Sequence, residues 1–161
     1  MKKIYFSMGG ALALLLFLTA GALALGWNVY ENGRFGYRIE YPALLEVLQE
    51  SENGDGVILR SSDGRSELTV WGGYNVLEES MDGILEASQE AALERGWKVL
   101  DGSVDLAEDS CSVSYRDGNS LVAERHIMKG DVVAGFIMRS PEAEDFDTLI
   151  ERMTASFRLL D

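Results

Sequence analysis

The chain is poor in the residues that build most reaction centres: one cysteine, Cys111, and one histidine, His126, in 161 residues. A lone cysteine cannot close an internal disulfide, and one cysteine with one histidine falls short of the ligand set zinc requires. No serine sits in a G-x-S-x-G elbow, the strained turn that exposes a hydrolase nucleophile. His126 falls in an alternating run and is expected to be an ordinary strand histidine that meets water or a backbone carbonyl. It acts as a base for Cys111 only if their two strands pair. Cys111 itself, within DSCSVSY, is expected to be a buried free thiol. Two prolines leave no room for a proline-rich linker, and no internal repeat or low-complexity tract is present. Basic residues are scarce as well, 14 Lys and Arg against 27 Asp and Glu, for a net charge of −13. So acidic a surface repels phosphate backbones and excludes nucleic acid as a partner; it equally disfavours adhesion to anionic lipid. Its simplest use is solubility.

What the chain does have begins at its start. Lys2 and Lys3 precede an apolar run from Ile4 to Leu25, which ends among small residues at Ala20-Gly21-Ala22 and Ala22-Leu23-Ala24. A basic start, an apolar run and a small-x-small exit form a secretory signal, with cleavage after Ala22 or Ala24. The run is also near the ~20 residues that span a bilayer, so an uncleaved anchor is the alternative, and membrane contact is then confined to this segment. Both readings keep the lysines on the cytoplasmic side and put the rest of the chain outside, in the periplasm or beyond. No cysteine follows the run to receive a lipid. The boundaries are therefore 1–24 for the leader and 27–161 for the exported part. Those roughly 135 residues suffice for one domain with its own core and are too few for two.

The exported part reads as strands, helix, strands, helix. Trp27 to Tyr30 is extended, Asn32-Gly33 offers a turn, and Gly36 to Tyr41 alternates before Pro42 stops it. Gly56 to Ser61 and Ser66 to Gly72 form a hairpin around Asp63-Gly64. Along the second arm Leu68, Val70 and Gly72 share one face, and Glu67, Thr69 and Trp71 the other. A helix follows, opened by an Asn75–Glu78 capping box or by Ser80. Leu77, Met81, Ile84, Leu85, Ser88, Ala92 and Leu93 give its apolar stripe, and Gly96 fits just past its end. Trp97 to Leu100, Ser110 to Tyr115, Ser120 to Met128 and Val132 to Arg139 read as a meander turning at Asp117-Gly118 and Gly130-Asp131. Ser140 and Pro141 are read as the start of a last helix, with Glu142, Glu144 and Asp145 at its positive end. Phe146, Leu149, Ile150, Met153 and Phe157 form its stripe. Two one-sided helices need a sheet to cover, so the expected class is α+β: an antiparallel sheet of about six to seven strands carrying two helices.

Three segments resemble the PsbP-like fold, which includes the DcrB-like exported bacterial proteins. NGRFGYRIEYP (Asn32 to Pro42) is similar to that family's opening hairpin. LVAERHIMKGDVVAGFIMRSPEAEDFDTLIERM (Leu121 to Met153) resembles its closing hairpin and last helix. Ala155-Ser156-Phe157 matches the small-Ser-Phe ending of that helix. Members act mostly as accessory or binding proteins, and the fold brings no shared catalytic set, so the resemblance implies no catalytic residue, metal ligand or cofactor here.

Candidate chemistry is thin by the residues' own account. Asn53-Gly54-Asp55-Gly56 has the look of a calcium loop but lacks the distal bidentate glutamate, so a turn is expected. Gly72-Gly73 has neither the Walker lysine nor dinucleotide spacing. Glu78-Glu79, Glu108-Asp109 and the Glu142/Glu144/Asp145/Asp147 group sit at helix starts or turns, where exposure accounts for them. Trp71 and Tyr74 remain as candidate partner-binding residues, an aromatic ledge rich in contact area at small entropy cost. The expectation is thus an exported, non-enzymatic accessory or binding protein of the cell envelope, whose partner is an envelope protein or a small ligand. The alternative is a periplasmic carboxylate-dependent hydrolase.

Overall fold

The computed structural model describes residues 26–141 and 145–160; the leader expected over 1–24 lies outside them, as do Glu142 and Glu144. The elements in chain order are β1 (Trp27–Asn32), β2 (Tyr37–Pro42), β3 (Leu45–Glu50), β4 (Gly56–Ser61), β5 (Glu67–Tyr74), α1 (Met81–Glu94), β6 (Lys98–Asp105), β7 (Ser110–Asp117), β8 (Ser120–Lys129), β9 (Val132–Pro141), α2 (Phe146–Ser156) and β10 (Arg158–Leu159). All strand pairs are antiparallel. No helix among the described residues is long and apolar enough to cross a membrane.

The α+β class and the two helices agree with the sequence, but the single sheet does not. Seven strands form one sheet, β3-β4-β5-β9-β8-β7-β6, while β1, β2 and β10 form a second of three. The physical reason lies in β2, where Tyr37, Ile39 and Tyr41 all point inward and are buried. A strand so apolar on one side needs a layer to pack against, not an edge to extend. These side chains meet Leu59, Leu68, Val70 and Phe136 of the large sheet, and α2 closes the same core with Phe146, Met153 and Phe157. Burying side chains such as Tyr37 and Phe136 contributes roughly 1.5–3 kcal/mol each.

The reverse face of the large sheet carries α1, which lies over β6 and β7. Met81, Ile84 and Ala92 pack there against Cys111, Val113, Tyr115 and Val122. Ser80 is the N-cap, its Oγ accepting from Gly83 N–H at 3.2 Å. At the other end Gly96 takes φ +78°. There Gly96 N–H donates to Leu93 O and Trp97 N–H to Ala92 O, both at 2.9 Å. This paired closure needs the left-handed residue glycine supplies.

Three local expectations are corrected. The Asn75–Glu78 capping box does not form, because Glu78 has φ +53° and cannot be helical; Leu77 therefore lies outside the helix and is exposed, as is Leu93. Ser140 and Pro141 do not start a helix. They extend β9, with Pro141 opposite Ser120 and beyond the last β5 partner at Arg139. With a neighbour on one side only, the missing proline N–H breaks no ladder. Asp145 is the N-cap of α2 instead. Finally, β3 is a strand that the residues did not announce.

Candidate functional site

Because α1 lies over β6, β7 and part of β8, the same face of the sheet is left largely open over β4, β5 and β9. Alternation along these strands brings Ile58, Thr69, Trp71 and Ile137 to it, all half-buried. Trp71 stands out from this surface. Its β9 partner is Gly135, which in turn is opposite His126 of β8. A Cβ on Gly135 would lie 2.5 Å from Trp71 Cζ2 and 3.0 Å from His126 Nδ1. Glycine here lets the indole lie down on the strand, edge-on to the imidazole at 5.5 Å and 75°. The ring divides two depressions. One of about 250 Å³ runs toward Gln49, Ile58 and Thr69. The other, about 240 Å³, is bounded by Tyr74, Val76, Leu77, Ile84 and Val133.

A strap between β5 and α1 forms the wall of the second depression. Asn75 N–H donates to Asp131 O at 2.7 Å, and its side chain clasps Glu79, Nδ2 to the carbonyl and Oδ1 from the N–H, each at 2.9 Å. Between these ties Glu78 holds its left-handed backbone, a conformation that costs a non-glycine residue of order 1–3 kcal/mol. The strap so fixed carries Val76 and Leu77 outward at 81 and 77 % exposure, and Tyr74, the last residue of β5, is 57 % exposed beside it. Tyr74 leaves β5 on the opposite face from Trp71 and packs edge-on against Phe35 at 5.3 Å. The expected aromatic pair is therefore not one flat ledge: the two rings lie on opposite faces of β5 near its end, with Val76 and Leu77 beyond them.

Beneath α1 lies a buried polar group. Glu124 Oε1 accepts from Ser88 Oγ at 3.0 Å and meets His126 Nε2 at 2.7 Å; Glu124 Oε2 accepts from Tyr115 OH at 3.0 Å. Burial pushes the Glu124 carboxyl up, yet His126, with Ser88 and Tyr115, outweighs it and holds the group below its ordinary value. The carboxylate is thus an acceptor only, and His126 Nε2 must carry a hydrogen toward it. Ser88 Oγ sits 3.3 Å from that same nitrogen, but gives its own hydrogen to Glu124. Histidine cannot take a proton at an atom already protonated, so Ser88 and His126 are not a nucleophile and base. A working triad places serine and carboxylate on opposite ring nitrogens; here both use Nε2. The group pins α1 to β7 and β8.

β7 and β8 do pair, with Cys111 opposite His126. Cys111 is buried, and burial, then the Glu124 charge, pushes its thiol up to about 11. An uncharged thiol under a helix is not a nucleophile. Glu108 lies in the β6–β7 turn and reaches Arg125. The Asn53–Gly56 segment is a turn tied down by Asn32 Nδ2 on Gly54 O and Tyr37 OH on Asp55 O, both at 2.9 Å. The residues missed by sequence reasoning are Val76, counted in no element, and Leu77, counted as helix stripe. Glu78 is the missing signal, and backbone sign cannot be read from side-chain type. Glu124 and Tyr115 were legible as alternating partners on neighbouring strands, but only once the register was known.

No family model matches the chain, and no curated protein matches it. Solved structures do. Cyanobacterial PsbP (CyanoP) from Synechocystis sp. PCC 6803 is similar with a TM-score of 0.63 at 13% identity, over 89% of this chain and 98% of that one. The Saccharomyces cerevisiae Ran-binding protein Mog1p is similar with a TM-score of 0.61 at 10% identity, over 86% of this chain and 97% of its own. At such identities the likeness is one of fold: the chain has a PsbP-like fold.

Proposed function

We propose that the chain is an exported, non-enzymatic accessory protein of the cell envelope, kin to the DcrB-like proteins, that binds a partner protein through Trp71, Tyr74, Val76 and Leu77. Export rests on the basic start, the apolar run and the small-residue exit. Binding rests on one observation above all: the strained, doubly tied strap that holds two apolar side chains, Val76 and Leu77, in water beside Tyr74. Apolar surface so exposed forgoes about 25 cal/mol per Å², and a partner's apolar segment recovers it. Each depression beside Trp71 is smaller than the ~300–1,000 Å³ of small-molecule sites and suits an anchoring side chain of a protein. One similar fold belongs to a Ran-binding protein, which is in keeping with a protein-binding role.

The hydrolase alternative needs one protonated and one ionised carboxyl across a cleft. Glu124, the buried carboxylate among the described residues, is instead enclosed by His126, Ser88 and Tyr115, and this favours the binding reading. Affinity capture from envelope extracts tests it, with wild type, Trp71→Ala, Leu77→Asp and Glu86→Gln as baits. A partner held by wild type and by Glu86→Gln, on the exposed side of α1, and lost by the other two supports the assignment. Equal recovery by all four overturns it. A native mass below the 17.7 kDa of the full chain checks the cleaved leader; the full mass indicates the retained anchor.

A further inference from the structure

The core-side face of the large sheet ends in a polar trough. The alternation that buries Cys111, Val113 and Tyr115 under α1 turns Ser110, Ser112 and Ser114 to the other side. On β6, Asp101 and Ser103 stand opposite Ser114 and Ser112. These short side chains leave a low floor, and Ile150 and Thr154 of α2 rise as its wall, enclosing about 110 Å³. At Arg125 and Thr154 this space meets a larger one of about 620 Å³, which passes Lys129, Phe157 and Arg158.

Arg125 is the floor of both. Its side chain is only 13 % exposed. Nη1 donates to Ser112 Oγ at 2.9 Å, and Nη2 donates to Ser110 Oγ at 3.1 Å and to Glu108 Oε2 at 3.0 Å. Its Nε is buried with no acceptor among the described residues, and an unsatisfied buried donor calls for an explanation. Both serine oxygens accept from the guanidinium, which leaves each hydroxyl hydrogen directed away from it and able to donate elsewhere. Glu108 makes a single-point contact, not the two-point fork that arginine favours, and is 67 % exposed. A chain of net charge −13 nonetheless gathers three cations, Arg125, Lys129 and Arg158, against two carboxylates, Glu108 and Glu151, around one concavity.

We propose that this trough binds the oxyanion of a small ligand, a carboxylate or a phosphate, with Arg125 as the cation and Ser112 and Ser114 as hydroxyl donors. Glu108 is the internal carboxylate that the ligand displaces. The site lies apart from the Trp71 surface and is independent of the partner-binding reading.

Nuclear magnetic resonance titration of the exported chain, at fixed ionic strength, tests this with inorganic phosphate in one arm and succinate in the other. The probes are the Arg125 Nε–H signal and the backbone amides of Ser112, Ser114 and Thr154. Saturable shifts confined to these groups are expected, and the arm that saturates first names the oxyanion class. Glu108→Gln tightens binding about two- to five-fold, the strength of an exposed ion pair, while Glu86→Gln, the same charge change elsewhere, leaves it unaltered. Arg125→Lys keeps the charge but loses the fork and weakens binding about ten-fold; Ser112→Ala gives a second, smaller loss should the lysine variant not fold. Shifts that never saturate, that spread over the whole surface, or that respond equally to Glu108→Gln and Glu86→Gln overturn the proposal.

Discussion

Gly135→Ala puts a single methyl group into the seat of Trp71. The added Cβ would stand 2.5 and 2.9 Å from two indole carbons and 3.0 Å from His126 Nδ1. Ordinary carbon contacts begin near 3.5 Å, so the indole must retreat by about 1 Å or swing out on its two torsions. Either motion breaks the edge-on contact with His126, worth about 0.5–1.5 kcal/mol, on top of overpacking that typically costs 1–3 kcal/mol. Relief of glycine's backbone freedom works the other way by roughly 0.5–1 kcal/mol. The net expectation is a loss of about 0.5–4 kcal/mol, centred on about 2 kcal/mol, measured by urea unfolding with an unchanged slope. In a Trp71→Ala background two of the three close contacts vanish, and the same substitution should be neutral or slightly stabilising. The double-mutant cycle should then give a coupling of about 2–3 kcal/mol, within the range for touching residues. Equal losses in both backgrounds would refute the seating of the indole on Gly135, and with it the geometry of the binding surface. The single variant should also weaken partner capture, since a displaced indole fills a depression meant for the partner.

Glu124→Gln should cost about 1–3 kcal/mol at neutral pH, because His126, Ser88 and Tyr115 lose a charged acceptor. The folded carboxyl titrates below its unfolded value, so its contribution is full above the unfolded value of about 4.3 and fades as pH falls through the folded one. Wild type should therefore lose stability on acidification more steeply than Glu124→Gln, by denaturant titrations from pH 7 to 3; parallel curves would contradict the pairing. The Cys111 thiol, pushed up to about 11 by burial, should resist iodoacetamide at pH 8 in the folded protein and react at once in urea, as intact-mass spectra would show. Ser80→Ala should cost about 1 kcal/mol by loss of the α1 cap, while Asn75→Ala should free the strap without shortening the helix, read as faster amide exchange at Val76 to Glu79.

The fold was legible where side-chain period and backbone need coincide. The Asp63-Gly64, Asp117-Gly118 and Gly130-Asp131 turns, the two apolar helix stripes and Gly96 all point one way. The opening strand was found as well, but its three inward aromatic and branched residues implied a second layer that pairing rules alone do not reveal. β3 escaped because Leu44, Leu45, Val47 and Leu48 do not alternate; a bulge between Val47 and Gln49 breaks the period of two. Ser140-Pro141 has the form of a helix start, yet the ladder with β8 outweighs that local preference. At the candidate surface Trp71 was visible as the odd residue on its strand face. Its seat, however, depends on Gly135 arriving opposite it from sixty-odd positions away, and the outward turn of Leu77 depends on a backbone sign at Glu78 that no residue type announces.

The most direct trial of the partner-binding surface is photo-cross-linking in the living cell, from a benzophenone amino acid placed at position 77 and, separately, at position 86 on the solvent side of α1. One discrete adduct from Leu77, absent from Glu86 and abolished by Trp71→Ala, is the result expected of a surface built to hold a protein. Adducts of equal yield from both positions, or none from Leu77, would mean that the strap displays its apolar side chains for some other reason.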